Sequence, residues 1–435
     1  MRANPGTASG ASWDDLAGGD PRVRIIPCPR PSPAGPIISP EECERLERDP
    51  TSARTRLVVS SPESTALRSL WGILLTLFLI GVAVGGGGCT DGVPEGERSM
   101  FRADARRMGS YEPDSTSDGT ELWRFKTGRQ VRASATVADS TVFIGSFDDA
   151  LYALNSQTGA ERWRFETGDD VFSTPAVFGG RVYVGSADRF VYALDAETGK
   201  VEWRFRTGGE VSASPAVVDD RVYVGSADSS VYALDMRTGE VKWRFEAEGG
   251  IVSSPAVARG TVYVGGLHRH VYALNAETGA EQWRFEAEDG IFSTPAVVAG
   301  TLYVGSLDSH VYALDAENGN ERWRFKTGND VVASPAVSGR TISVGSTDGR
   351  LYALNAETGE ERWSLAVGRF IFSSPTISGG TVYVGSPDTH LYAIDLETGN
   401  QRWRFETRSG VASSPAVAGG TVYFGSLDGN VYALE

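Results

Sequence analysis

The chain repeats itself every 40 residues, and that period decides most of what it can fold into. Trp123, Trp163, Trp203, Trp243, Trp283, Trp323, Trp363 and Trp403 follow one another at intervals of 40 without a slip. Tyr152, Tyr192, Tyr232, Tyr272, Tyr312, Tyr352, Tyr392 and Tyr432 do the same. Eight copies therefore fill residues 116–435, which number 320 with no remainder. One copy, VFSTPAVFGGRVYVGSADRFVYALDAETGKVEWRFRTG from Val171 to Gly208, contains four short runs rich in Val, Tyr, Phe and Trp, separated by Gly and Asp turns. The runs VFSTPAV, RVYVGS, FVYALD and VEWRFR are designated strands A, B, C and D. No helical period of 3.6 occurs in the repeats.

A lone four-stranded sheet buries too little to stand, so neighbouring sheets must cover it. Both faces of each strand carry apolar residues, Val182 and Val184 against Tyr183, Val191 and Ala193 against Tyr192 and Leu194. Sheets covered on both faces and repeated radially make an all-β fold, an eight-bladed β-propeller of four-stranded antiparallel blades. A linear β-solenoid is the alternative. Two features favour the ring. Pro175, Pro215, Pro255, Pro295, Pro335, Pro375 and Pro415 recur at one place in strand A. Proline cannot donate to a ladder, so strand A is expected at the inner edge, facing the channel, and the prolines are expected to blunt that edge against further pairing. The last copy also stops at Glu435 after its strand C, whereas an orphan strand D, ELWRFKTG around Trp123, precedes the first copy. The orphan is expected to complete the last blade by pairing with Val431–Leu434, closing the ring with hydrogen bonds.

The 435 residues carry a formal charge of -15. Up to Ser115 there are 13 basic and 15 acidic residues, so the repeats hold 28 and 41 and are the acidic part. Such a body repels phosphate backbones, which argues against nucleic acid and suits a salty medium or a cationic partner. Cys28, Cys43 and Cys89 all precede the repeats, which excludes a disulfide framework, a redox CxxC, a haem attachment motif or a thiolate metal cluster within them.

Residues 1–65 hold ten of the 20 prolines and no apolar periodicity, and read as a disordered extension. Residues 66–89 read as a signal or membrane-anchor segment: Arg68, an apolar run from Leu70 to Val84, then glycines and Cys89. A run of 15 is short for a membrane span and suits an export signal. The cysteine after it resembles the lipobox of bacterial lipoproteins, in which Cys89 would become the acylated N-terminus; an uncleaved anchor is the alternative. Either way the repeats face outward. Residues 90–115 read as a polar tether.

ALDAETGKVEW, Ala193 to Trp203, resembles the tryptophan-docking signature AxDxxTGxxxW of pyrroloquinoline-quinone (PQQ) enzyme repeats. Similar stretches end at Trp163, Trp243, Trp283, Trp323, Trp363 and Trp403, with Asn155, Asn275 and Asn355 in place of Asp and Asn318 in place of Thr. The likeness covers all the repeats and is specific to PQQ-like propellers. As a structural motif, Asp195 and Gly199 shape the C–D turn and Trp203 reaches the neighbouring blade.

Three functions follow from the resemblance. A PQQ-dependent dehydrogenase would need, as that family implies, a quinone in the channel, a Ca²⁺ held by Glu, Asn and Asp, and an Asp base, usually on insertions. The unbroken spacing has no insertion, no acidic set stands on strand A, and neither PQQ nor calcium is expected. The chain is also similar in plan to the BamB family of lipid-anchored propellers of the outer-membrane barrel-assembly machinery, which implies a non-catalytic, membrane-anchored scaffold for protein partners. A ligand-binding sensor propeller is the third reading, and no kinase or other output segment accompanies the repeats. No nucleophilic site is expected, because the Ser-Ser-Pro stretches lack a His and Asp partner pattern.

A functional surface should lie where the copies differ. The C–D turns are nearly constant, whereas the B–C hairpins vary most and contain all four histidines. The candidate partner-binding residues are Arg189, Phe190, His268, Arg269, His270, His310 and His390 in these hairpins, with Arg369 and Phe370 in an aberrant D–A loop. Neutral drift in exposed turns is the alternative. His270 and His310 hold equivalent places in adjacent blades, but two imidazoles do not complete a zinc site and no metal is expected. The recurring hairpin aspartates, Asp148 to Asp428, are read as caps of their own turns.

Overall fold

The computed structural model describes residues 98–99, 104, 109–110 and 117–435. The extension, the apolar segment and Cys89 lie outside the described residues. Among those described there is no helix; the structure consists of eight antiparallel sheets. Blade 1 comprises Thr136–Ala138, Thr141–Ser146, Ala150–Asn155 and Glu161–Glu166, strands A to D. The pattern recurs in register through blade 7, which ends with Gln401–Glu406. Each strand B and C is buried on both faces, as RVYVG and FVYALD predict, while the outer strand D sets exposed residues against a buried or half-buried Trp and Phe. Strand A is shorter than its sequence suggests. In blade 2 it is only Ala176–Phe178, and Pro175 precedes it rather than interrupting it.

Blade 8 is built from both ends of the described body. Ala416–Ala418, Thr421–Gly425 and Asn430–Leu434 supply its inner strands. Glu121–Lys126 supplies its outer strand, with Trp123 opposite Ala433, Arg124 opposite Tyr432 and Phe125 opposite Val431. The join is reinforced beside the strand: the amides of Asp118, Gly119 and Thr120 all donate to a Glu435 oxygen at 2.8–3.0 Å.

Adjacent blades are joined by one repeated contact. The indole Nε1 of each outer-strand Trp donates to a carbonyl in the C–D turn of the next blade, as Trp203 does to Met236 at 3.1 Å and Trp243 to Ala276 at 2.9 Å. The ring lies on the turn glycine. At Gly199, which has φ +69°, a Cβ would sit 2.7 Å from Trp163, so the motif needs glycine both for its backbone and for the approach. Asp195 Oδ1 accepts from the Thr198 amide at 2.8 Å and so shapes that turn. The strand B tyrosine uses the same carbonyl, Tyr183 donating to Met236 and Tyr223 to Ala276 at 3.0 Å. The seam repeats the scheme: Trp403 donates to Ser117 at 2.7 Å, with its ring over Gly119.

A second closed circuit runs round the channel. The amide of the Ser or Thr before each strand A proline, and of Ser134 before Ala135, donates to the hydroxyl 40 residues ahead, Thr174 to Ser214 at 3.0 Å and Ser334 to Ser374 at 2.9 Å, until Ser414 returns to Ser134 at 2.9 Å. The Ser-Ser-Pro stretches are thus structural.

The inner edge is not left free everywhere, contrary to the expectation from the prolines. Arg98–Ser99 pairs antiparallel with strand A of blade 2, Arg98 opposite Phe178 and Ser99 opposite Val177. Ser110 bridges to Ile377 of blade 7, whose amide donates to the Gly109 carbonyl at 2.9 Å. Phe178 and Ser378 are accordingly buried, whereas the equivalent Val218, Ala258, Val298, Ser338 and Ala418 are half-buried. Proline removes only the donor that precedes the strand; the short strand that follows keeps its outward-facing groups.

Blade 6 departs from the scheme at Ser343, which replaces the strand B tyrosine; it is fully buried and its hydroxyl has no partner. Ser343→Tyr is expected to donate to the Leu396 carbonyl that already receives Trp363, as Tyr183 and Tyr223 do at their equivalents, and to raise stability by about 1 kcal/mol, measured as a rise in melting temperature. Deleting residues 117–126 removes the outer strand of blade 8 and the dock of Trp403. It is expected to lower the melting temperature by several degrees and to give higher oligomers in light scattering; an unchanged monomer with unchanged melting contradicts closure by this strand.

Candidate functional site

The D–A loops and B–C hairpins emerge together on one face, and the A–B and C–D turns on the other. Six of the seven hairpin aspartates lock the first of these faces, Asp388 being the exception. Asp188 shows the pattern: Oδ1 accepts from the Phe190 amide at 2.9 Å, and Oδ2 accepts from the Tyr192 hydroxyl at 2.6 Å and from the Gly168 amide at 2.8 Å. These carboxylates therefore cap their turns as expected, and they also join the hairpin to the D–A loop, a role no local motif announces. Burial and the adjacent carboxylate push the tyrosine hydroxyls up, Tyr392 to about 12. Blade 4 has His268 where the others have Asp, and Tyr272 there accepts from the Glu248 amide at 3.3 Å.

The candidate histidines share the face without converging. His310 Nδ1 lies 3.1 Å from the carbonyl oxygen of Asp308, and His390 Nδ1 3.0 Å from that of Asp388, each ring tilted against the tyrosine two residues on. His270 is buried; its Nδ1 has no hydrogen-bond partner and lies 3.7 Å from a Glu248 oxygen. His268 is exposed, and Arg269 pairs with Glu286 at 3.1 Å. Arg189 has φ +74°, and Phe190 carries the guanidinium groups of Arg204 and Arg206 over its ring at 5.1 and 5.9 Å. Arg369 and Phe370 are both exposed.

Sequence reading missed an acidic group between blades 1 and 2. Carboxylate oxygens of Asp149, Asp169 and Asp170 lie within 4.8 Å of one another. Arg129 approaches Asp170 at 3.3 Å. Burial, and repulsion from Asp169 and Asp149, push the Asp170 carboxyl up to about 6 despite Arg129. The group needs three residues from two segments, and only folding brings Asp149 to the loop. A cleft of about 450 Å³ separates the outer strands of blades 7 and 8, lined by Arg124, Phe405, Arg408 and Tyr432 among others.

The channel offers different chemistry. From 131 to 138 and at each interval of 40, the residues entering strand A carry no carboxylate and no Asn. The Ser and Thr hydroxyls at Ser134, Thr174 and their equivalents already accept an amide from the preceding blade. Calcium needs several oxygen ligands, carboxylates foremost, and this set does not provide them.

Eight radial sheets, docked through Trp and Gly and closed by a strand from the other end, define an eight-bladed PQQ-like β-propeller. The sequence profile of the outer membrane protein assembly factor BamB matches residues 109–244, 227–333 and 307–435, and the chain belongs to that family. No curated protein matches the sequence. Among solved structures, BamB from Moraxella catarrhalis is 20% identical, with a TM-score of 0.63 over 73% of this chain and 99% of its own. The quinohemoprotein alcohol dehydrogenase of Comamonas testosteroni is 17% identical, with a TM-score of 0.67 over 77% of this chain and 80% of its own. A europium-containing methanol dehydrogenase is 14% identical, with a TM-score of 0.68 over 78% of this chain and 98% of its own. At these identities the likeness is one of fold.

The raised Asp170 carboxyl has a defined pH signature. The folded state holds its proton more tightly than the unfolded chain, so this group's stabilisation is present at low pH and lost as pH rises from about 4 to about 6. Asp170→Asn should therefore gain in melting temperature on the parent at pH 7.5 relative to the difference at pH 4.5. A gap that does not widen with pH contradicts the assignment.

Proposed function

We propose that the protein is a non-catalytic, extracytoplasmic scaffold, held at a membrane through the segment ending at Cys89 and engaging protein partners through its loop face, as a component or relative of the outer-membrane barrel-assembly machinery. The observation that carries this reading is the donor set of the channel. The family resemblance admits both scaffold and quinoprotein, and these residues fit the scaffold. The inner strands present short hydroxyls already committed to inter-blade bonds and no carboxylates for a calcium ion. The inner edges of blades 2 and 7 are further taken by the chain's own residues 98–99 and 110. Function then falls to the surface, where the copies differ.

Crosslinked recovery of the membrane-bound protein tests the scaffold reading, with barrel-assembly components expected in the crosslinked fraction. Mixing with PQQ and Ca²⁺ tests the quinoprotein reading. No quinone absorbance should survive desalting, and no dye-linked alcohol oxidation should appear; retention of one quinone per chain would overturn the proposal.

A further inference from the structure

In seven of the eight blades one backbone hydrogen bond ties the B–C hairpin to the preceding D–A loop, from Phe147 donating to Gln130 round to Leu427 donating to Gly410, at 2.9–3.0 Å. Blade 7 has Pro387 at the donor position, and proline has no N–H. The second tie is missing there too. Asp348 accepts the Gly328 amide at 2.8 Å and Asp428 the Arg408 amide at 3.1 Å. Asp388 takes the Tyr392 hydroxyl and the His390 amide, but no loop amide among the described residues. Gly368 lies instead at φ +136°, where a Cβ would stand 2.2 Å from Ser386 Oγ, so only glycine is accommodated. The segment Gly368–Phe370 is thus released from a lattice of bonds that holds its counterparts. It carries Arg369 and Phe370 into solvent, Phe370 being 46% exposed with the Phe372 ring 6.3 Å behind it.

The charge of the D–A loops changes sign at the same place. The five D–A loops from blades 1–2 to blades 5–6 carry Asp169, Asp170, Glu210, Glu248, Glu288, Asp289 and Asp330 and no base. The other three, which are contiguous, carry Arg369, Arg408 and Arg129 and no acid. Arg350 is exposed beside them, for a Cβ on its neighbour Gly349 would lie 2.3 Å from the Gly368 oxygen. Arg129 is engaged by Asp170, and Arg350 by Ser364. The exposed guanidinium groups of Arg369 and Arg408 meet no carboxylate among the described residues, and the loops bearing them flank one hairpin: Gly368 packs on Ser386, Gly410 on Pro387.

We propose that the arc of Arg350, Arg369, Phe370 and Arg408 is the docking site for an extended, acidic segment of a protein partner bearing an apolar side chain; the proposal rests on the scaffold reading above. Guanidinium groups pair with carboxylates in forked geometry, and the Phe370–Phe372 step receives the apolar side chain. The acidic remainder of the face repels such a segment and so sets its position and direction.

The test uses the full-length protein and a fluorescein-labelled octapeptide of alternating Glu and Phe, with the alternating Lys and Phe peptide and phosphatidylglycerol vesicles as comparisons. The Glu–Phe peptide should bind more tightly than either, and more weakly as salt rises. R369E/R408E should weaken it by about tenfold or more without shifting the melting temperature, and F370A by several-fold with its salt dependence retained. E210K/E288K, on the opposite arc, should leave the affinity within about a factor of two. Equal binding by R369E/R408E, equal loss in E210K/E288K, tighter binding to the vesicles, or a dimer of the protein that R369E/R408E dissolves would each overturn the proposal. If barrel-assembly components crosslink to wild type and R369E/R408E alike, the arc fails and the scaffold stands; peptide binding at the arc with no such components recovered supports the arc and removes the barrel-assembly assignment.

Discussion

The molecule depends on the docking of one tryptophan per blade onto the next blade's turn. A four-stranded sheet of this size cannot bury its own faces, so the stability of each blade is a property of its two interfaces. The indole solves three problems at once. It covers apolar surface, satisfies a turn carbonyl, and packs so closely on Gly199 and its equivalents that no other residue fits there. Since each blade is both donor and receiver, the scheme is complete only in a closed ring. Ser117, Gly119 and the outer strand Glu121–Lys126 supply the missing receiver and the missing strand together.

This regularity explains why the irregularities are informative. A repeat under strict geometric constraint tolerates change where side chains face solvent rather than a neighbouring blade, in the B–C hairpins and D–A loops. Changes there are of two kinds. Some are absorbed: His268 takes the place of an aspartate, and the Glu248 amide compensates at Tyr272. Others are not. Pro387 and Gly368 both remove ties from one loop, and that loop carries an exposed aromatic side chain and an unpaired guanidinium group.

The aspartates and serines show how structural and functional signals can be confused in a repeat. A ring of seven hairpin carboxylates looks like a cation collector, yet each accepts a tyrosine hydroxyl and at least one backbone amide. The Ser-Ser-Pro stretches look like nucleophile candidates, yet their hydroxyls close a circuit round the channel. Conversely, the Asp149, Asp169 and Asp170 group is invisible in the repeat alignment, because its members occupy different positions of two copies.

Blade number, strand order, closure by the Trp123 strand, the reach of each Trp to the next blade and the variable face were all legible in the chain, because each follows from spacing, alternation or a residue with a single backbone use; that the indole lies on the turn glycine was not. Strand A is shorter than VFSTPAV predicts, since the apolar run starts at Val171 whereas pairing starts only after Pro175. Only the tertiary structure decided that residues 98–99 and 110 take inner edges of blades 2 and 7, and that one loop stands untied among eight. A periodic sequence specifies what every copy does with its neighbour, whereas contacts made once, between parts distant in the chain, leave no period to read.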